Sequence, residues 1–600
     1  MQTTYSRRDW IANCWLLWLG LAVFLSRLFF LNSTYALDGD AWGIASAARQ
    51  IAATHEYVIS RPPGFPVPEI VYSFFWRGGP AVMNGVTAIL SVLGSISFAL
   101  VLRRFDSSRW LASLGALGFA FVPLVYINST TSMDYVWGLS MVTAALYLVL
   151  ADRPVAAGML AGVAVGCRIT NGLLVLPLAI ILHGCCREDR AVRRVAVFLA
   201  VAVVAALVVY APVYLKYGMS FLRFSDMPLS AQQRHLMWIL GPTTGLWGIL
   251  GCAGLIIGVA SMAIAPLKTW RRLKSNGPRV GWVIGGSLMA ILLIAASYVR
   301  LPHEFAYLLP VVPFTLLLLR ILLTTRIFLI LNILLVAAPF TANVSDAGRF
   351  TLEGPLLIHS RQRQAQFRCI REAFAAVNRL PEDRAVVAIN HTYRPYIEGY
   401  PPRCRDLQFT KPVEIVDALS REQVPELVAK GVAVYYVYAE QWYIRQGCHV
   451  ARNSSGAWIV RAEDFVAPDS DRWNLTPFDL GLLEARLSPD PEAGARFQSQ
   501  LRSTQFYVAG RLSGTDASGE CLPIIVLYDG RPSIAAFDKP ARAEALKKEG
   551  DQLMLVSGQG LLGWLNENLW LVVNPDTLHP AVFGAGKSGP PPGATSLGSE

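Results

Sequence analysis

The chain has 600 residues, 53% of them hydrophobic and only 16% charged. Soluble globular chains carry about 25% charged residues, so this composition excludes an ordinary soluble protein and points to the membrane. The net charge of +11 does not signal nucleic-acid binding, because no basic stripe interleaved with aromatics runs through the C-terminal part.

Eleven apolar runs are predicted to cross the membrane as helices: 10–31, 81–102, 110–127, 135–150, 154–168, 170–184, 192–214, 246–266, 281–299, 305–320 and 327–342. Most approach the length that a hydrocarbon core of ~30 Å requires. The first is too long, and too little like a cleavage site, to be a removed signal peptide. Lys and Arg cluster in alternate connections: Arg7 and Arg8; Arg103, Arg104 and Arg109; Arg153; Arg187, Arg190, Arg193 and Arg194; Lys268 to Arg279; Arg320 and Arg326. The intervening connections hold fewer. Basic connections face the cytoplasm. The N-terminus is then inside and everything after residue 342 outside. Ala- and Arg-rich usage favours a bacterial inner (cytoplasmic) membrane.

The expected fold class is a polytopic α-helical membrane protein with a C-terminal extracytoplasmic α/β domain and a β-rich extension. The boundaries are 1–344 for the membrane domain, with a first outer loop at 32–80; 345–456 for the α/β domain; 457–585 for the β-rich part; and 586–600 for a disordered tail. In the α/β domain a helix is predicted over 361–380, a strand over 385–390, a helix over 411–431 and a strand over 432–438. Strand-like runs dominate from "AWIVRAEDF" onward.

The first outer loop begins "TYALDGDAWGIASAARQ" (34–50), with Asp38 and Asp40 flanking Gly39. Asp134 ends the next outer connection, "NSTTSMD". Glu56, Glu69, Asp226 and Glu304 fall on the same side. Acids beside lipid are costly unless they are paired or line a wet cavity. Two readings stand for each. Asp40 caps the helix at 41–53, and Asp134 caps the fourth span; or the carboxylates converge on one surface, as a base for a hydroxyl or as ligands of a divalent cation. In "SRPPGFPVPEI" (60–70) the prolines exclude helix and hold Arg61 on a stiff segment, where it clamps phosphate or anchors at headgroups. Arg168, in "GCRITNG", lies between two apolar spans and binds phosphate or pairs with an acid such as Asp134. In "RLPHEFAYLLPVVPF" (300–314), His303 and Glu304 stand at an outer end, where His303 is an acid, a phosphate donor, a metal ligand or an interfacial residue. Arg234 and His235 contact a headgroup or are solvated. Cys369, Cys404, Cys448 and Cys521 are outside, where disulfides form, with three connectivities open. No cysteine spacing makes a zinc site.

"LDGDAWGIASAARQIAATHEYVISRPPGFPVPEI", followed by close spans, resembles the polyprenyl-phosphate-sugar-dependent membrane glycosyltransferases of the C-type fold, the protein O-mannosyltransferase-like family with its aminoarabinose transferase relatives. The family's first-loop acidic motif matches Asp38-Gly39-Asp40, its second acid Asp134 and its basic-Pro-Pro pattern Arg61-Pro62-Pro63. "AGVAVGCRITNGLLVLPLA" resembles its glycine-rich span, matching Arg168. Ala306 stands where the late motif has an arginine, which leaves that contact to Arg300 or His303. The resemblance covers about residues 1–440. It implies transfer, with inversion, of a sugar from a polyprenyl-phosphate donor to a hydroxyl of a glycan, lipid or protein. Asp38 or Asp40 is then the base. Arg61, Arg168 and Arg234 are the phosphate contacts, with Asp134, His303 and Glu304 around the substrate. A divalent cation is allowed and not required. Two alternatives remain: a ligase for lipid-linked oligosaccharides, and a transporter or scramblase for them. The absence of a "WWDYG" stretch weighs against the Asn-directed ligase. Charges gathered at one face, without two matching halves, weigh against transport.

Overall fold

The computed structural model describes residues 14–106, 108–186, 188–222, 231–267, 273, 278–300, 302, 304–344, 350–379, 383–389, 399–404, 407–416, 430, 432–437, 459–461, 478, 493–512, 521–528, 531–544, 551–565, 569–574 and 581–583. His303, Cys448 and the tail at 586–600 lie outside them. The helices of the first half are α1 (Trp15–Leu28), α2 (Gly39–Thr54), α3 (Pro66–Phe75), α4 (Gly79–Leu102), α5 (Arg109–Phe121), α6 (Pro123–Asn128), α7 (Tyr135–Leu150), α8 (Pro154–Cys167), α9 (Val175–Cys185), α10 (Glu188–Tyr217), α11 (Ala231–Leu240), α12 (Leu246–Ile264), α13 (Pro278–Arg300), α14 (Val311–Leu322) and α15 (Thr325–Ala337).

Among the described residues, four helical stretches are long and apolar enough to cross a membrane by length and composition: Pro66–Leu102, Arg190–Leu222, Arg234–Ile264 and Arg279–Arg300. Six shorter apolar helices accompany them. Along α10, Val204, Leu207, Val208 and Leu215 are all exposed. A continuous apolar face of this kind is a liability in water and suits lipid. The chain is an integral membrane protein.

Prolines and glycines decide where apolar runs break. The run at 110–127, expected to be one span, divides into α5 and α6. Val122 adopts ψ 125° ahead of Pro123, which starts α6. A proline disfavours helical geometry in the residue before it and is at home in a first helical turn. At the first residue of α4, Gly79 takes φ +64°, so Pro66–Leu102 is bent at its loop end. The loop end is therefore built from short, angled helices.

Close helix approach is set by α8. A Cβ on Gly162 would lie 2.5 Å from Ala205 Cβ and 2.7 Å from the Ala202 carbonyl oxygen of α10. Gly158, one turn earlier, faces the Phe198 carbonyl in the same way. Small residues let two backbones meet where apolar burial gives no drive to associate. Gly162→Leu is expected to push α8 off α10, at a cost of about 1–3 kcal/mol, read as a lower unfolding midpoint of the purified protein.

The C-terminal part starts with a short hairpin, β1 (Asn343–Val344) and β2 (Phe350–Thr351), then α16 (Pro355–Asn378). A four-stranded sheet follows, in the order β4-β3-β5-β6, from β3 (Ala385–Ile389), β4 (Val413–Val416), β5 (Ala433–Val437) and β6 (Ile459–Arg461). β3 is parallel to both neighbours, with Val387 opposite Ile415 and Tyr435. Two expectations change here. The start of the helix expected at 411–431 is β4, because "VEIV" supplies β-branched residues that pair with β3; residues 417–429 lie outside the described set. Ile459–Arg461 pairs with β5, so this sheet runs past residue 456. A second, seven-stranded sheet spans Gln505–Phe583, in which the strand Arg531–Phe537 runs parallel to the strand Trp570–Val573.

α16 ties the C-terminal part to the loop end of the bundle. Arg363 is fully buried and donates to the carbonyls of Phe30 (3.1 Å), Thr130 (3.0 Å) and Thr34 (2.5 Å). Tyr35 donates to the Gly399 carbonyl at 2.8 Å. Asn84 bonds the Leu31 and Thr34 carbonyls, and its own amide oxygen accepts from Ser132. These buried bonds fasten the two segments that carry Asp38, Asp40 and Asp134.

Candidate functional site

Asp38, not Asp40, caps α2. It has extended backbone geometry, and its carboxylate accepts from the Asp40 amide at 2.9 Å. Asp40 is thereby released into the first turn, where its Oδ2 meets Arg61 Nε at 2.9 Å. The expectation of Asp40 as the cap is wrong by two positions, because Gly39 and Asp40 both enter the helix and the cap falls on Asp38.

Asp134 stands at the start of α7 with no capping bond from its side chain. Its carboxylate bridges two guanidiniums instead, with Oδ1 at 3.1 Å from Arg61 Nη2 and Oδ2 at 2.6 Å from Arg168 Nη1. Its side chain is fully buried. Of the two sequence readings for Arg168, the structure shows the acid pairing. Arg168 reaches Asp134 because the chain breaks there: α8 ends at Cys167, Arg168 is extended (φ −162°, ψ 121°), and a 3-10 turn follows at Ile169–Leu174. Gly64, at φ +88°, turns the Arg61 loop so that its amide bonds the Arg61 carbonyl at 2.8 Å.

Aromatic rings wall the cluster. The Arg61 guanidinium lies 4.3 Å from the Phe65 ring centroid, and Arg168 lies 4.3 Å from both Tyr135 and Tyr307. Such contacts strengthen when desolvated. Three buried polar atoms here have no hydrogen-bond partner among the described residues: Arg61 Nη1, Arg168 Nε and Tyr135 Oη. Buried donors of this kind are rare, and a guanidinium N–H group without an acceptor suits an acceptor-rich group.

The electrostatics are uneven. Asp40 keeps 39% of its side chain exposed at the rim, yet surrounding protein pushes its carboxyl up to about 6; Arg61 draws it back, while Asp38 and Asp134 add to the rise. Glu304, just ahead of the 3-10 turn Phe305–Leu308, is held above the ordinary carboxylate range by burial and then by Asp38 and Asp40. Glu304 therefore shares the field of this cluster. Arg234 is exposed on α11, and no described contact joins it to the cluster. His303 is outside the described residues.

The donors do not suit a resident cation. Asp38 is spent on its cap and Asp40 on Arg61, and no grouping of three His, Cys, Asp or Glu ligands occurs among the described residues. Sequence reasoning missed Tyr135, Tyr307 and Phe65, and placed Glu69 only among the acids of the outer side. Only the two aromatics flanking known motifs, Tyr135 after Asp134 and Phe65 after the prolines, carried any local signal.

No protein-family model matches the chain, and no curated protein matches its sequence. In fold, the chain is similar to ArnT. The structure of ArnT from Cupriavidus metallidurans bound to undecaprenyl phosphate shares 13% identity, with a TM-score of 0.46, over 77% of this chain and 99% of that one. The apo state of the same protein gives 15% identity and a TM-score of 0.44, over 76% and 98%.

Proposed function

We propose that this chain is an inverting membrane glycosyltransferase. It takes a sugar from a polyprenyl-phosphate donor and gives it to a hydroxyl of a glycan, lipid or protein on the non-cytoplasmic side. In this reading about eleven spans cross a bacterial inner membrane, with the N-terminus inside and the sheets outside. The observation that carries the proposal is the ion-pair chain Asp40–Arg61–Asp134–Arg168, centred on a fully buried Asp134, with guanidinium N–H groups that have no hydrogen-bond partner among the described residues.

The chemistry follows from those groups. Arg61 Nη1 and Arg168 Nε receive the donor phosphate. Asp40 accepts the proton of the acceptor hydroxyl as its oxygen attacks the anomeric carbon. The new C–O bond forms on the face opposite the bond that breaks, and the phosphate departs as an anion on Arg61. The leaving group needs no acid. Asp134 holds the two arginines, and Glu304 lines the acceptor side.

The test is transfer from a labelled polyprenyl-phosphate sugar by the purified protein in nanodiscs, against a hydroxyl acceptor series. Transfer supports the proposal; no transfer with any acceptor, and no release of labelled sugar to water, refutes it. Asp40 must be ionised to act. Its raised pKa therefore predicts that kcat/KM climbs with pH through about 6 and then levels. A profile flat across that value would remove Asp40 from the base role.

A further inference from the structure

Glu69 is fully buried on α3, and no ion pair reaches it among the described residues. Its Oε1 accepts from the Ser60 amide at 2.7 Å and the Ser60 hydroxyl at 2.6 Å. Its Oε2 accepts from the Phe65 amide at 3.0 Å and the Tyr57 hydroxyl at 2.5 Å. All four donors belong to residues 57–65, the segment that carries Arg61. From the other side, Tyr210 donates to the Gly64 carbonyl at 3.3 Å, and Tyr217 accepts from the Ile59 amide at 3.4 Å.

An unpaired buried carboxylate is costly, and an apolar side chain could fill the same space. What a carboxylate adds is acceptor-only capacity on two oxygens, enough for four converging donors. Those donors lie on both sides of Arg61 in sequence. They fix the backbone from which the guanidinium reaches Asp40 at 2.9 Å and Asp134 at 3.1 Å.

We infer that Glu69 is a positioning residue: through the loop 57–65 it sets Arg61 where it can clamp the phosphate of the substrate. The clamp rests on the function proposed above; the control of Arg61 by Glu69 does not.

The test is modification of arginines by phenylglyoxal, followed peptide by peptide by mass spectrometry on the full-length protein. In Glu69→Gln the amide presents one acceptor and one donor, so part of the donor set loses its acceptor. Arg61 should then react about ten-fold faster than in the wild type, the factor for about 1.4 kcal/mol of lost restraint. Exposed Arg361 reports reagent activity, and fully buried Arg27 reports an intact bundle. An unchanged Arg61 rate with Arg27 protected overturns the inference. If Glu69→Gln unprotects Arg27, the single-donor variants Tyr57→Phe and Ser60→Ala decide instead. Each should speed Arg61 modification with Arg27 still protected, and no change in either overturns it.

Binding of undecaprenyl phosphate adds a readout that a merely structural role would not move. Glu69→Gln and Arg61→Ala should weaken it alike, and the double variant should be no weaker than Arg61→Ala. Independent, additive losses overturn the positioning role. A wild-type protein that binds no polyprenyl phosphate sinks the function proposal, while the labelling still decides Glu69.

Discussion

Asp134→Asn is expected to abolish transfer and to destabilise the fold by about 3–5 kcal/mol, the range for removing one partner of a buried ion pair. Two guanidiniums share Asp134, at 3.1 and 2.6 Å, with no exposure of its side chain. An asparagine there turns an N–H donor toward Arg61 or Arg168 and leaves two positive charges facing each other. The measurement is the unfolding midpoint in detergent together with turnover of a labelled donor. Adding Arg168→Gln to Asp134→Asn should cost less than the two separate losses combined, because the single variant leaves the arginine buried and unpaired. A midpoint equal to wild type in Asp134→Asn would show that the cluster does not hold the loop end together.

The second large effect separates the two acids of the first loop. Asp40→Asn is expected to lower kcat about 100- to 10,000-fold, the span for removing a general base, while donor binding persists. Asp38→Asn should leave turnover near wild type, because asparagine caps a helix as well as aspartate does. Asp38→Ala should cost about 1 kcal/mol of stability, the ordinary value of a lost cap. Steady-state rates with a labelled donor, beside melting curves, decide the matter. A larger kcat loss in Asp38→Asn than in Asp40→Asn would reverse the roles.

Some of this arrangement was legible in the sequence. Charge is scarce in the apolar half, so each acid at a span end stood out. The stiff prolines around Arg61 and the broken span at Arg168 marked where guanidiniums would be fixed. The structure brings Arg61, Asp40, Asp134 and Arg168 into one chain of ion pairs. Which aspartate caps α2 was not legible, because Asp38 and Asp40 both precede a helix-like run and a two-residue shift of the helix boundary decides between them. Tyr135 and Tyr307 lie in apolar runs, where a ring facing a cation has the same local pattern as a ring in the core. Glu69 looked like one more outward acid, since nothing in spacing tells that four donors from a preceding loop will close on it. Arg234 had the right chemistry but lies exposed on α11. Beyond the bundle, "KPVEIVDALSREQ" reads as helix because most of its residues favour one; the short strand at Val413–Val416 exists because β3 offers it a parallel partner.

The most direct measurement is a structure of the wild-type protein with a polyprenyl phosphate in a lipid nanodisc. The account predicts density for the phosphate within hydrogen-bond reach of Arg61 Nη1 and Arg168 Nε, with Asp40 facing the position of the sugar. Phosphate density bound elsewhere, with the Asp40–Arg61–Asp134–Arg168 chain intact and unapproached, would contradict it.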